Sequence, residues 1–316
     1  MTEARARTPR LYRGDVRAAQ IRLGREIRVT PVFHTEVIGP NGPVEVTLKL
    51  EHLQHSGTFK LRGSLNALKQ HPDDGRPVVI ASGGNAGIAA AMACTLRDRP
   101  CTVVVPETAS HTKVAAMWGY GAEVLWHGTS YAECKRYADR IAGERDALQL
   151  HAYDLPQVVA GAGVIGLEIE RQVRGRPPVL VAVGGGGLMA GVAIALGPRA
   201  RVIGVEPEGA PTLRAALSTG QPVDVPIDTI TADALGAGRI GDIALDTALR
   251  YGVGSVLVDD DSIVMAREYL WREFRLVVES AGATALAAVM SGAYVPEPGV
   301  RPVIVLCGAN TDVTTL

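Results

Sequence analysis

Val179-Leu180-Val181-Ala182-Val183 runs directly into Gly184-Gly185-Gly186-Gly187-Leu188. The first five residues are apolar and mostly β-branched, as in a strand buried on both faces. Each of the following glycines would cost about 1 kcal/mol in a helix interior, so the chain turns there. Small apolar residues then resume a helical pattern up to Gly197. The whole stretch is uncharged and nearly long enough to cross a bilayer, but four glycines break it into strand, turn and helix. The same grammar occurs upstream, where Val78-Val79-Ile80-Ala81 leads into Ser82-Gly83-Gly84-Asn85-Ala86-Gly87. Such turns point backbone N–H groups at an anion.

Working outward, apolar runs predict strands at 44–50, 78–81, 102–105, 123–126, 179–183, 202–205, 255–258 and 303–306. Helical patterns lie between them at 64–70, 112–118, 131–142, 157–173, 262–274 and 281–290. Strand–helix alternation implies an α/β protein with open, twisted parallel sheets and right-handed crossovers. The turn cluster at 71–77 and a second crossing near 150–154 predict two domains. Residues 77–148 form a small inserted α/β domain, and 1–76 with 149–316 form the larger one.

Composition narrows the function. A hydrophobic content of 47% and a charged content of 21% are ordinary for a globular chain of 316 residues. Aromatics at 4% argue against a base-stacking surface, and a net charge of −1 argues against a polyanionic partner. Cys94, Cys101, Cys134 and Cys307 form no CxxC pair, so no zinc cluster or redox dithiol is signalled. Free thiols and the lack of a signal-peptide core predict a cytoplasmic protein. The arginine-rich N-terminus is interrupted by Glu3, Asp15 and Glu26, and 15–27 reads as an amphipathic helix.

Lys60 stands among small and polar residues in Ser56-Gly57-Thr58-Phe59-Lys60-Leu61-Arg62-Gly63. Phe59 supplies an apolar wall and Arg62 a neighbouring cation, a combination that lowers a lysine pKa and makes its amine nucleophilic. The glycine run admits two readings. As Gly185-x-Gly187-x-x-Ala190, with Glu206 further on, it matches a dinucleotide fingerprint loosely. As contiguous glycines it suits a cup of amides around one phosphate. Asn85 is a donor for a phenolate oxygen. Cys307 follows the last strand, where parallel sheets open their ligand crevices. One lysine with two anion-binding turns points to an electrophilic, phosphate-bearing cofactor.

Together these motifs resemble the pyridoxal-phosphate serine/threonine dehydratases, β-family enzymes of fold type II. The match runs from Thr30-Pro31 to Asn310. It implies two open parallel-sheet domains with pyridoxal 5′-phosphate in the cleft between them. By the resemblance, Lys60 is the Schiff-base lysine and catalytic base, Phe59 packs beside the ring, and Asn85 bonds the 3′ oxygen. Gly184, Gly185, Gly186, Gly187 and Leu188 hold the phosphate, Cys307 faces the pyridine nitrogen, and Glu279 lies near the cofactor face. Ser82, Gly83 and Gly84 receive the substrate carboxylate. Gly83 stands where family racemases carry a second serine, which argues against racemisation. Thr212 stands where cation-binding relatives place an aspartate six residues after Glu206, so no metal is expected. The implied activity is elimination of water from a small β-hydroxy amino acid such as serine or threonine, giving a 2-oxo acid and ammonia, in a homodimer. A β-replacement enzyme shares the fold and cofactor, and a nicotinamide dehydrogenase shares the glycine run but leaves Lys60 unused.

Overall fold

The computed structural model describes residues 9–198 and 200–315, so Glu3 and the start of the arginine-rich segment lie outside the described residues. The strands are β1 (Val32–Gly39), β2 (Gly42–Lys49), β3 (Val78–Ala81), β4 (Cys101–Val105), β5 (Glu123–Trp126), β6 (Leu148–Leu150), β7 (Val179–Ala182), β8 (Val202–Pro207), β9 (Gly254–Val258) and β10 (Val303–Val305). The helices are α1 (Arg13–Leu23), α2 (Lys60–Leu68), α3 (Asn85–Leu96), α4 (His111–Gly119), α5 (Tyr131–Glu144), α6 (Pro156–Gln172), α7 (Gly187–Leu196), α8 (Thr212–Thr219), α9 (Ala232–Leu235), α10 (Asp242–Tyr251), α11 (Asp260–Phe274) and α12 (Ser280–Met290). They build two mixed layers. A six-stranded sheet runs β1-β2-β10-β7-β8-β9, and a four-stranded sheet runs β5-β4-β3-β6.

Strands β3, β4, β7, β8 and β10 are buried along most or all of their length, which is why their sequences read as unbroken apolar runs. The expected parallel sheets are present, with one antiparallel pair at an edge of the larger sheet. β1 pairs antiparallel with β2 through a tight turn that joins Gly39 to Gly42. β1 is exposed or half-buried along its first five residues and carries His34, Thr35 and Glu36 in its middle, so its sequence carried no buried-strand signal. β6 is three residues long and was equally silent. α2 begins at Lys60 rather than at 64, and α1 covers Arg13–Leu23 rather than 15–27. Helices α8, α9 and α10, between β8 and β9, were not picked out from the pattern.

A buried charge network lies beneath the start of α2. Arg62 Nη1 donates to Glu168 Oε1 at 2.7 Å, while its Nε and Nη2 donate to Glu51 at 2.9 and 2.8 Å. Lys49 Nζ donates to Glu168 Oε2 at 2.6 Å and to the Thr30 carbonyl at 2.6 Å. These four side chains are at most 1% exposed. Two cations balance two anions, and the network joins β2, the short 3-10 turn Glu51–Leu53, α2 and α6. Gly63, one turn of α2 along, lets α6 approach: a Cβ there would lie 2.8 Å from a Val158 methyl.

Removing one partner leaves a buried charge uncompensated, which costs about 3–5 kcal/mol. Glu168→Ala is therefore expected to lower the unfolding free energy by that order, and the urea midpoint with it, measured by circular dichroism. An unchanged midpoint would show that the network is not what braces α2.

Candidate active site

The C-terminal ends of β3, β7 and β10 deliver the segments at 82–85, 184–187 and 307–310 to one crevice, as parallel-sheet crossovers require. Lys60 enters from the first position of α2. Thr58 forms an isolated β-bridge with Gly308, and the Phe59 N–H donates to the Cys307 carbonyl at 3.2 Å, so Lys60 and Cys307 are held side by side. The Lys60 ammonium donates to the Ala152 carbonyl at 2.8 Å and lies 5.2 Å from the centre of the Phe59 ring. Burial lowers its pKa to about 8, against the pull of Cys307 and Glu279. The sequence reading credited Arg62 with part of this effect. The structure corrects it: Arg62 is neutralised by Glu51 and Glu168, and desolvation does the work.

The four-glycine turn leaves no space for side chains. Gly186 has φ +83°, and a Cβ on it would lie 2.6 Å from Ala244 Cβ. A Cβ on Gly184 would meet the Leu235 carbonyl at 2.8 Å, one on Gly187 the Tyr153 carbonyl at 2.6 Å, and one on Gly185 the Tyr153 ring. The turn N–H groups at 184–188 donate to no backbone acceptor among the described residues, and they stand at the N-terminus of α7. Of the turn, Gly185 opens into the cavity, whereas Leu188 is buried behind it. Thr212 Oγ1 donates to the Gly184 carbonyl at 2.6 Å. Glu206 accepts from the N–H groups of Leu213 at 2.6 Å and Arg214 at 3.0 Å and from Ser255 Oγ at 3.1 Å, so its carboxylate is spent on capping α8.

Asn85 was expected to present its amide to a phenolate oxygen. In the structure that amide is already engaged: Nδ2 donates to Glu279 Oε1, and Oδ1 accepts from Asn310 Nδ2 at 2.8 Å. Glu279 is buried at the N-cap of α12, and burial pushes its pKa up despite Lys113, which donates to its other oxygen at 2.9 Å. Lys113 also reaches Asp233 at 2.7 Å. Burial opposes the Lys113 charge most strongly, yet the two carboxylates together hold its pKa above the usual value. Burial, aided by Glu279, pushes the Cys307 thiol up to about 12, so it is neutral at pH 7. Ser82 Oγ accepts from the Gly84 N–H at 3.3 Å at the entrance to α3. A Cβ on Gly83 would lie 3.0 Å from both Ala109 Cβ and Pro106 Cδ.

Lys60, Ser82, Gly83, Gly84, Asn85 and Gly185 line one cavity of about 580 Å³. Phe59, Glu279, Cys307 and the other turn residues are not among its lining residues. Sequence reasoning missed Lys113, Asp233, Tyr153 and the Ala152 carbonyl. Lys113 had a signal, since it shares the buried face of α4 with Val114 and Met117. A lysine on an apolar helix face requires a partner.

The model of the family "Pyridoxal-phosphate dependent enzyme" matches residues 23–308. The chain belongs to this family. An L-threonine ammonia-lyase of Geobacter sulfurreducens is 35% identical, with 95% of this chain and 76% of that protein covered. A phenylserine dehydratase of Ralstonia pickettii is 36% identical, with 93% and 91% covered, and a serine racemase of Bos taurus 34%, with 96% and 93% covered. The structure of maize serine racemase superposes with a TM-score of 0.89 at 28% identity, covering 97% of this chain and 96% of that one. The fold is that of the fold type II enzymes, and the protein is a pyridoxal-phosphate enzyme. The residues fit the group: a buried amine of lowered pKa shares a cavity with free amides at a helix start.

Two outcomes follow. In cofactor-stripped protein, labelling of Lys60 by a small amine-reactive reagent should rise with pH and level off above about 8, because the neutral amine is the nucleophile. Peptide mapping reads the site, and a rise continuing toward 10.5 would refute the lowered pKa. Gly186→Ala places a side chain at a left-handed φ, costing about 1–3 kcal/mol, and should reduce the cofactor retained after dialysis, followed by absorbance.

Proposed function

We propose that the protein is a dehydratase that eliminates water from small β-hydroxy amino acids such as L-serine or L-threonine, releasing a 2-oxo acid and ammonia. The observation that carries this reading is the buried Lys60 amine, with pKa about 8, opening into the same cavity as the 82–85 turn and Gly185. Threonine ammonia-lyases and a phenylserine dehydratase among the relatives support it.

When bound, pyridoxal phosphate supplies an electron sink for charge developing at the substrate Cα. Lys60 would attach it covalently, with the amides at 184–188 around its phosphate and Phe59 beside its ring. The work left to the protein is done by named groups. Ser82, Gly83, Gly84 and the α3 N-terminus would orient the substrate carboxylate. Lys60, released as a neutral amine, would take the Cα proton; a pKa near 8 suits a base working at neutral pH. Cys307, protonated and buried, would give the ring nitrogen a neutral partner in place of a carboxylate, so the bound group would be a weaker electron sink, which suits elimination over transamination. Asn85 lies at hydrogen-bond distance from Glu279 and Asn310, and these two partners set its orientation.

Racemisation is the second reading, since serine racemases are among the relatives. It needs a proton donor on the opposite face, and Gly83 offers no side chain there. We extend the proposal to a homodimer in a reducing, cytoplasmic setting, in keeping with four free buried cysteines. No helix among the described residues is long and apolar enough to cross a membrane.

With L-serine or L-threonine the protein should form ammonia and the corresponding 2-oxo acid, with little D-amino acid. Coupled 2-oxo-acid assay and chiral chromatography check both clauses. Lys60→Ala should lose activity by at least about a hundredfold, the scale of general-base catalysis, and borohydride reduction of the wild type should mark Lys60. Accumulation of D-serine as fast as pyruvate would contradict the reading, as would label on Lys49 or Lys69.

A further inference from the structure

Lys60 comes from α2 and Gly185 from the turn before α7, and one further segment touches both. It is the short strap 151–154 between β6 and α6. The Ala152 carbonyl accepts from the Lys60 amine at 2.8 Å. Tyr153 lays its ring against Gly185, where a Cβ has no space, and its hydroxyl donates to the Arg239 carbonyl at 3.3 Å. The Asp154 carboxylate accepts from the N–H groups of Asp242 and Ile243 at 3.1 and 3.2 Å, at the start of α10. The Gly241 N–H, just before that helix, donates to the Gly185 carbonyl at 3.1 Å. Three consecutive residues thus hold the amine and the glycine turn in one register.

His151 holds the strap itself. Its Nδ1 accepts from the Tyr153 N–H at 3.3 Å and from the Asp154 N–H at 3.0 Å. Neither N–H has a backbone acceptor among the described residues, so the histidine satisfies both. An imidazole nitrogen accepts only when it carries no proton, which puts the proton on Nε2 and leaves the ring neutral. Burial supports that state by lowering the His151 pKa; Lys135 and Lys60 act the same way, against Asp154 and Asp139. The ring also meets the Tyr153 ring edge-on, with centroids 4.7 Å apart.

We propose that His151 is a positioning residue: as a neutral acceptor it fixes the 151–154 strap, and through the strap the direction of the Lys60 amine and the wall of the glycine turn. The inference rests on Lys60 being the reactive amine. A neutral amine has two N–H bonds and one lone pair. Donating one N–H to the Ala152 carbonyl directs the lone pair away from that carbonyl, and a fixed direction is what a positioned base needs.

The test compares His151→Asn, His151→Gln and His151→Ala with the wild type. Asn carries its amide oxygen as many bonds from the backbone as Nδ1, whereas Gln carries it one bond further. Cofactor-loaded proteins are dialysed and the cofactor retained is read by absorbance. Stripped proteins are labelled at Lys60 with a small amine-reactive reagent across pH, with peptide mapping. Asn should keep retention within about twofold of the wild type and the labelling midpoint near 8. Gln and Ala should lose cofactor about tenfold faster, the scale of one or two hydrogen bonds, and move the midpoint toward 10.5 as water reaches the amine. The contrast of Asn with Gln stands alone if Ala does not fold. Gln matching the wild type on both readouts, or folded Asn as impaired as Gln, would overturn the role of His151. Neither readout needs turnover, so bound cofactor without 2-oxo-acid formation would overturn the dehydratase reading instead, and borohydride label on another lysine would overturn Lys60 as the reactive amine.

Discussion

Arg62 lies wholly buried between Glu51 and Glu168, with Lys49 closing the network from β2. A buried guanidinium is tolerated only when its hydrogen-bond capacity is met by fixed acceptors, and here it also reaches the Arg28 carbonyl at 3.1 Å. Those acceptors sit on separate segments: the 3-10 turn after β2, helix α6 and the loop before β1. Satisfying one side chain therefore fixes the position of four elements. Lys60 lies two residues before Arg62 on the same helix, so its amine inherits that placement. The Lys60 amine is further fixed by its hydrogen bond to the Ala152 carbonyl at 2.8 Å.

The crevice follows from topology once α2 is anchored. Within each sheet the parallel crossovers return the chain so that strand C-terminal ends lie on one side; β7 and β10 of the six-stranded sheet and β3 of the four-stranded sheet place their following turns there. Segments that follow strands of both sheets line the one cavity. Contacts span it at Lys113, which leaves α4 of the smaller sheet's layer to meet Asp233 on α9 and Glu279 at α12. The same burial acts oppositely on neighbouring groups. It lowers Lys60 and raises Cys307 and Glu279, because in each case the charged form is the one that loses water.

Much of this was legible beforehand, and the parts that were not share a cause. Strands β3, β4, β7 and β10 announced themselves as apolar runs because both faces are covered. β1 did not, because an antiparallel edge strand has an exposed face and a polar pattern. Helix α2 was read as starting late because Gly63 looked like its boundary, whereas Gly63 lies inside the helix. Partners distant in sequence hid Lys113 and led part of the lowered pKa of Lys60 to be credited to Arg62. A charge reads as a solvated charge until a partner distant in sequence is brought to it.

The sequence by itself determined the alternation of buried strands and helices, the glycine turns where no side chain is admitted, and the presence of one lysine in a small-residue setting. Those are local properties: apolar periodicity, the conformational freedom of glycine at a positive φ, and residue chemistry. Which charges neutralise which was decided by the tertiary structure alone. Glu51 and Glu168 lie 117 residues apart in the chain and share one arginine; Lys113 and Glu279 meet across the crevice at 2.9 Å. Such pairings depend on distance and desolvation after folding, and neither quantity is written in the order of the residues.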